Sequence, residues 1–287
     1  VFASLLTAGL ERFAEVSMAV LDQSRPAENR SGSGRLEDDA RSAVAGHTPA
    51  GPGDGAPVLL IGGLGTTAPF LRPLTRWLGQ RGYAVTPVTV GAGLDCAEQT
   101  VDELAGVLED VADRSRRRVR LVGHSRGGQF ARVLARRRPD LTGALVTVGT
   151  PFDLYALRWP TFLTAAAITL AGTLGIGGLA RVTCLAGGCC RRFRADLRAP
   201  VPDGVPFTSV YSREDRVVPY EACRACATHD SAAHRTRVRN VEVPGSHVGL
   251  LVGPHARSAV VDGLIAAHDD GPGGRPGADV TALPAPA

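Results

Sequence analysis

Three side chains in this sequence, a serine, an aspartate and a histidine, follow one another at spacings suited to acyl transfer. Ser125 sits in Gly123-His124-Ser125-Arg126-Gly127, a G-x-S-x-G pentapeptide. A short apolar run precedes it and a helical pattern follows. A serine on such a strand-to-helix turn lies on a strained backbone and projects its hydroxyl from the end of a sheet. The flanking glycines are required because a Cβ at either position would meet the neighbouring strand or helix. The backbone N–H of Arg126 lies at the helix start and is directed to where an oxyanion would form.

A serine hydroxyl is inert at neutral pH unless a base removes its proton, and the base needs an orienting acid. Both follow Ser125. Val205 to Ser212 (VPFTSVYS) reads as a buried strand, and its exit loop is Arg213-Glu214-Asp215-Arg216-Val217-Val218-Pro219. Val238 to Val243 (VRNVEV) reads as the next strand, with Pro244-Gly245-Ser246-His247 after it. Strand C-terminal ends are where an open parallel sheet places its working residues. Seven histidines compete for the base role. His47, His229 and His234 lie in polar connections, His255 and His268 in the last helical region, and His124 within the elbow, facing away from the nucleophile. His247 alone follows a strand, so it is read as the base. Asp215 is preferred to Glu214 because Val217-Val218-Pro219 can anchor its loop; Asp153 is the alternative acid. A second oxyanion N–H belongs after an earlier strand, Pro57 to Ile61, in Gly62-Gly63-Leu64-Gly65, with Leu64 as the donor. A phosphate-binding glycine loop would need G-x-G-x-x-G or a following Gly-Lys-Ser/Thr. Neither occurs, and the chain has no lysine.

The elements needed to position these groups can be read from periodicity. Arg118 to Val122 forms the elbow strand, and Phe130, Val133 and Leu134 recur at helical spacing up to Arg136-Arg137-Arg138-Pro139. Phe70, Leu71, Leu74, Trp77 and Leu78 mark a helix ending near Gly82, and Tyr83 to Val90 the next strand. Val101, Leu104, Val107, Leu108 and Val111 mark a second helix. Leu145 to Val148 is a strand, and Val260, Val261, Leu264 and Ile265 mark the final helix. This alternation predicts an α/β fold, a doubly wound, mostly parallel sheet with helices on both faces. Residues 1–22 read as a helix without a basic leader rather than a signal peptide. Residues 23–55 read as a linker, 56–268 as the main domain, and 269–287 as a disordered tail.

A chain of 287 residues with 44% hydrophobic residues can bury the core of one main domain. The net charge of +4 is modest, and all 32 basic residues are arginine. Aromatic residues make up only 5%, too few to interleave with the arginine runs, so nucleic acid is excluded as a partner.

The ordered set PVLLIGGLGTT, LVGHSRGG, VTVGTP, VYSREDRVVP and VPGSHVGLL resembles the α/β-hydrolases of the lipase/esterase type, in particular a branch common in actinobacteria. The resemblance runs from Pro57 to about Leu264. It implies Ser125 as nucleophile, Asp215 as acid, His247 as base, and the Leu64 and Arg126 N–H groups as oxyanion donors. The chain departs from that pattern in two places. Gly62-Gly63 stands where many lipases have His-Gly, and Thr150-Pro151-Phe152 where many have Pro-His. These departures bear on acyl preference.

From Trp159 to Ala180 no residue is charged, and the run is long enough to span a membrane. It lies between two strands of one sheet, carries four glycines near its end, and falls where this fold inserts a cap. It is therefore read as a mobile apolar cap within an insertion of about residues 152–204, lining an acyl groove to which Phe152, Phe162 and Leu163 are assigned. Peripheral contact with a membrane or lipid interface through the cap is the alternative. The cysteines leave more open. Cys184, Cys189 and Cys190 cluster, Cys223 and Cys226 form C-x-x-C, and Cys96 stands apart. Disulfides, free thiols and a zinc site built from C-x-x-C and the upstream pair all fit the spacing. No residue is assigned to a metal, and the expected chemistry requires no cofactor. The expected activity is hydrolysis of a hydrophobic ester or lipid through an acyl-enzyme on Ser125. An acyltransferase with the same triad and a silent lipid-binding module are the alternatives.

Overall fold

The computed structural model describes residues 51–90, 96–153, 159–175, 181–185, 187–225 and 238–265. The expected helix at 1–22, most of the linker and the tail lie outside them. Six strands form one sheet: β1 (Pro57–Ile61), β2 (Ala84–Val88), β3 (Val119–His124), β4 (Thr142–Val148), β5 (Phe207–Tyr211) and β6 (Val238–Glu242). Their order is β2-β1-β3-β4-β5-β6, and every neighbouring pair is parallel.

The strand sequences explain that order. β1, β3 and β5 are buried along their whole length, as expected of strands covered on both faces. The two outermost strands are half-exposed and blunted: β2 carries Pro87, and β6 carries Arg239, Asn240 and Glu242. Side chains alternate between two cores because successive residues of a strand point to opposite faces. Leu59, Ile61, Leu121 and Leu145 face one core, where α2 (Ala97–Ser115) and α3 (Arg126–Arg137) pack. Val58, Leu60, Val122 and Val146 face the other, covered by α1 (Ala68–Gly79) and, near the chain's end, α8 (Gly249–Val252) and α9 (Pro254–Ile265). Tyr83 was expected to open β2. Its N–H instead donates to Leu78 O at 3.2 Å and closes the exit turn of α1, so the strand starts at Ala84.

The insertion between β4 and β5 divides into two unlike parts. α4 (Trp159–Thr173), the turn after it and α5 (Val182–Leu185) carry the exposed apolar residues Leu163 and Leu170, Leu174, and Val182. α6 (Arg191–Arg198) instead belongs to the core, with Phe193 and Leu197 buried and the Phe193 ring 5.7 Å from Phe130. Residues 191–198 of the expected insertion therefore pack as part of the core, where Phe193 and Leu197 bury their apolar surface. Among the described residues no helix is long and apolar enough to cross a membrane. After β5 comes one further short helix, α7 (Tyr220–Cys223).

The chain leaves β1 toward β2 on one side and then crosses to β3 on the other. This reversal opens a crevice at the C-terminal ends of β1 and β3, where doubly wound sheets bind their ligands.

Candidate active site

Ser125 ends β3 with φ 53° and ψ −124°, a left-handed backbone rare for a residue with a side chain. Its N–H extends the ladder to Val148 O at 2.8 Å, and α3 starts at the next residue. The surroundings hold this strain in place. A Cβ on Gly123 would lie 2.5 Å from Gly127 O, and one on Gly127 would lie 2.5 Å from Gly62 O. A Cβ on Gly128 would collide with the Thr150 hydroxyl. Backbone thus approaches backbone on both sides of the serine, and glycine alone permits it.

Asp215 and His247 meet. The His247 Nδ1–H donates to Asp215 Oδ2 at 2.6 Å, and Asp215 is 2% exposed. Its other oxygen accepts the Val217 and Val218 N–H groups at 2.8 and 2.9 Å. Burial alone would raise the Asp215 carboxyl. The hydrogen bond from His247, the charge of that ring and the two backbone donors outweigh burial and hold it below the ordinary aspartate value. It therefore stays ionised and fixes the ring with Nε2 free to take a proton. The alternative acid, Asp153, is an exposed partner of Arg198 at 3.6 Å. Among the other histidines, His255 is exposed on α9, while His47, His229, His234 and His268 lie outside the described residues.

The turn after β1 stands beside the serine. A Cβ on Gly63 would lie 2.9 Å from Ser125 Cβ, so the backbone of this turn touches the Ser125 side chain. Leu64 follows with an exposed side chain, and the turn is closed by Thr66 N–H donating to Gly63 O at 3.1 Å. The Arg126 N–H opens α3. Of the residues assigned to an acyl groove, Leu163 is exposed on α4, and the side chain of Phe162 lies outside the described set. Phe152 is half-buried and turned toward the sheet, edge-on to Phe207 with ring centroids 5.8 Å apart and beneath Arg132. Its packing is therefore that of a core residue.

These features together are a six-stranded parallel sheet, a strained serine after the strand at the switch point, and an Asp–His pair on the two strands beyond. No protein-family model and no curated protein matches the chain. Solved structures do. An α/β-hydrolase enzyme from the metagenome of lagoon sediments at Mar Chica, Morocco, aligns with a TM-score of 0.50 at 19% identity, over 76% of this chain and 93% of its own. A metagenome-derived lipolytic enzyme aligns at 0.55 and 15%, over 75% and 94%. A lipase of Bacillus licheniformis aligns at 0.54 and 15%, over 73% and 91%. The chain has the α/β-hydrolase fold.

Two residues beside the Asp215–His247 pair were not assigned from sequence. His124 was expected to face away from the serine's chemistry. It is buried instead, its ring centroid 4.8 Å from that of His247, and its Nε2–H donates to His247 O at 3.0 Å. Burial, and then the nearby His247 charge, lower its pKa to about 3, so it is neutral and holds the His247 backbone in place. A histidine preceding the elbow serine is the only sequence signal of this role. Glu214 is exposed, as read from the sequence, and its carboxylate also accepts the Gly245 N–H at 2.9 Å, which ties the Asp215 loop to the loop carrying His247. Its position immediately before the acid was the available clue.

Proposed function

We propose that the protein is a serine carboxylester hydrolase acting on apolar acyl esters. The observation that carries this reading is the 2.6 Å bond between His247 Nδ1 and the buried carboxylate of Asp215, after β5 and β6 of the sheet whose β3 leads into the strained Ser125. In this mechanism His247 Nε2 takes the Ser125 proton as Oγ attacks the ester carbonyl. The Leu64 and Arg126 N–H groups hold the tetrahedral oxyanion. The imidazolium then gives its proton to the departing alcohol, leaving the acyl group on Ser125. Water, deprotonated by His247, attacks the acyl-enzyme, and collapse releases the acid and restores the serine. Asp215 remains ionised throughout and stabilises the imidazolium.

Two observations support an apolar substrate. Solved structures of similar fold include lipolytic enzymes, among them a monoacylglycerol lipase of Paleococcus ferrophilus at a TM-score of 0.51. The exposed large hydrophobic residues Leu64, Leu163, Leu170, Leu174 and Val182 lie on the turn after β1, on α4 and the residue after it, and on α5. A surface of that kind suits contact with a lipid interface.

Fluorophosphonate labelling read by intact mass tests the proposal. One adduct on the wild type and none on Ser125→Ala is the expected result. A folded wild type that takes no adduct, with or without detergent, overturns it. A series of esters of increasing acyl length then measures substrate preference.

A further inference from the structure

Away from the Ser-His-Asp residues, four cysteines converge. Cys96 precedes α2, Cys184 lies in α5, Cys189 follows in the next turn, and Cys190 precedes α6. Their sulfur atoms all lie within 4.8 Å of one another. Cys96 Sγ is 3.4 Å from Cys189 Sγ and 3.5 Å from Cys190 Sγ, and Cys184 Sγ is 3.8 Å from Cys189 Sγ. Cys96 and Cys189 are 93 residues apart in sequence, so the fold itself brings them together. Of the C-x-x-C that the sequence left open as a disulfide, thiol or zinc element, Cys223 is buried elsewhere, against Tyr211 and Val218, and Cys226 lies outside the described residues.

We propose that Cys96, Cys184, Cys189 and Cys190 form a tetrathiolate zinc site that fastens the base of the insertion to α2. This proposal stands independently of the hydrolase reading. Zinc–sulfur bonds of about 2.3 Å at the tetrahedral angle set sulfur atoms about 3.8 Å apart. The observed separations of 3.4, 3.5 and 3.8 Å, with every pair within 4.8 Å, span that value and lie well beyond the roughly 2.05 Å of a disulfide bond. Thiols are weak donors and weak acceptors, so S–H···S contacts supply little reason for four of them to converge.

The protein frame around the cluster is built to hold it. Glu98, in the first turn of α2, accepts the Phe193 N–H at 3.0 Å and the Arg137 guanidinium at 2.6 Å. Arg137 also binds Asp196 of α6 at 2.8 Å, so the two helices that start at Cys96 and Cys190 are locked to each other. Arg194 donates to Cys184 O at 2.8 Å and to Gly187 O at 2.6 Å, which fixes the turn between Cys184 and Cys189. Ligands oriented by such outer contacts need little reorganisation to bind. The charge balance agrees. Four thiols that lose four protons to one Zn2+ leave a net charge of −2, and no oxidant is needed. The Arg126 guanidinium has a buried Nε with no hydrogen-bond partner among the described residues, and burial disfavours its charge. A dianionic cluster supplies the countercharge that neutral thiols do not. Cys189 is exposed and gives the metal a route in.

The test uses the full chain without an affinity tag, produced in zinc-supplemented medium and purified under reducing conditions without chelator. Zinc is measured by mass spectrometry, and cobalt reconstitution is followed by visible absorption. The expected result is about one zinc per chain, with thiolate-to-cobalt charge transfer and intense tetrahedral bands. Cys96→Ser and Cys189→Ser are expected to retain less than about a tenth of the metal, and Cys223→Ser all of it. A zinc-free wild type with reactive thiols overturns the proposal. So does an intact mass four hydrogens light, which marks two disulfides, or full zinc retention in Cys96→Ser. Where a variant fails to fold, the wild-type metal content and cobalt spectrum decide.

Discussion

At the scale of single residues, the Asp215–His247 contact and its buried neighbour His124 set the expected pH behaviour. Asp215→Asn removes the carboxylate that selects the His247 tautomer with a free Nε2. We expect kcat to fall on the order of 10³–10⁴-fold with the fold retained, measured on a soluble ester alongside circular dichroism. His124 acts on stability. Its pKa is about 3 in the folded chain, against the ordinary 6.5. Below pH 6.5 the unfolded chain therefore takes up a proton that the folded chain refuses. Stability is full above that pH and is lost as pH falls toward 3, with a slope of up to about 1.4 kcal/mol per pH unit. His124→Gln keeps an N–H donor without titrating and should flatten that slope in urea melts between pH 6.5 and 4.5. An unchanged slope in the variant would place the acid sensitivity elsewhere. The lowered Asp215 value adds a second loss, below the ordinary aspartate range.

At the scale of elements, the elbow depends on how closely β1, β3 and α3 approach. Gly127→Ala puts a methyl group against the Ile61 and Gly62 carbonyls, where backbone must move. A loss of about 1–3 kcal/mol is expected, read as a lower denaturant midpoint. Gly63→Ala meets the Ser125 side chain and the His124 carbonyl, each at 2.9 Å, and so disturbs the oxyanion turn directly. Its rate of fluorophosphonate labelling should fall at least about tenfold while the midpoint moves less than for Gly127→Ala. Equal changes in both properties for the two variants would mean that the turn only supports the fold. The Arg137 network is the other joint between elements. Arg137→Met strands the Glu98 and Asp196 carboxylates in partly buried positions, and the expected cost is about 1–3 kcal/mol in the same melts.

At the scale of the whole molecule, a sheet covered on both faces leaves its C-terminal edge as the working surface, and the apolar residues of α4 and α5 stand beyond it. Charging that surface with Leu170→Asp and Leu174→Asp should lower the ratio of activity on emulsified to soluble esters about tenfold. An unchanged ratio would show that the apolar surface does not meet the interface. The helices of the insertion have opposite fates for a compositional reason. α6 has an apolar stripe, Phe193 and Leu197, between arginines and is drawn into the core. α4 carries no charge, so its sequence specifies no face to bury.

The sheet and its helices were legible because parallel strands and amphipathic helices are local patterns. Runs such as PVLLI and the spacing Val101, Leu104, Leu108 report their environment without knowledge of distant residues. The strand ends that carry Ser125, Asp215 and His247 could be counted off in order, and the contact between Asp215 and His247 follows from the adjacency of β5 and β6. Boundaries shifted where a backbone group found a partner outside the pattern, as Tyr83 did at Leu78. His124, Glu214 and the cysteine cluster depend on contacts between segments far apart in the chain. Spacing put Cys223 with Cys226 and set Cys96 apart. Only the docking of α6 on α2 and α3 brought Cys96 to Cys184, Cys189 and Cys190, because the burial of Phe193 and the Arg137 ion pairs decide where that helix lies.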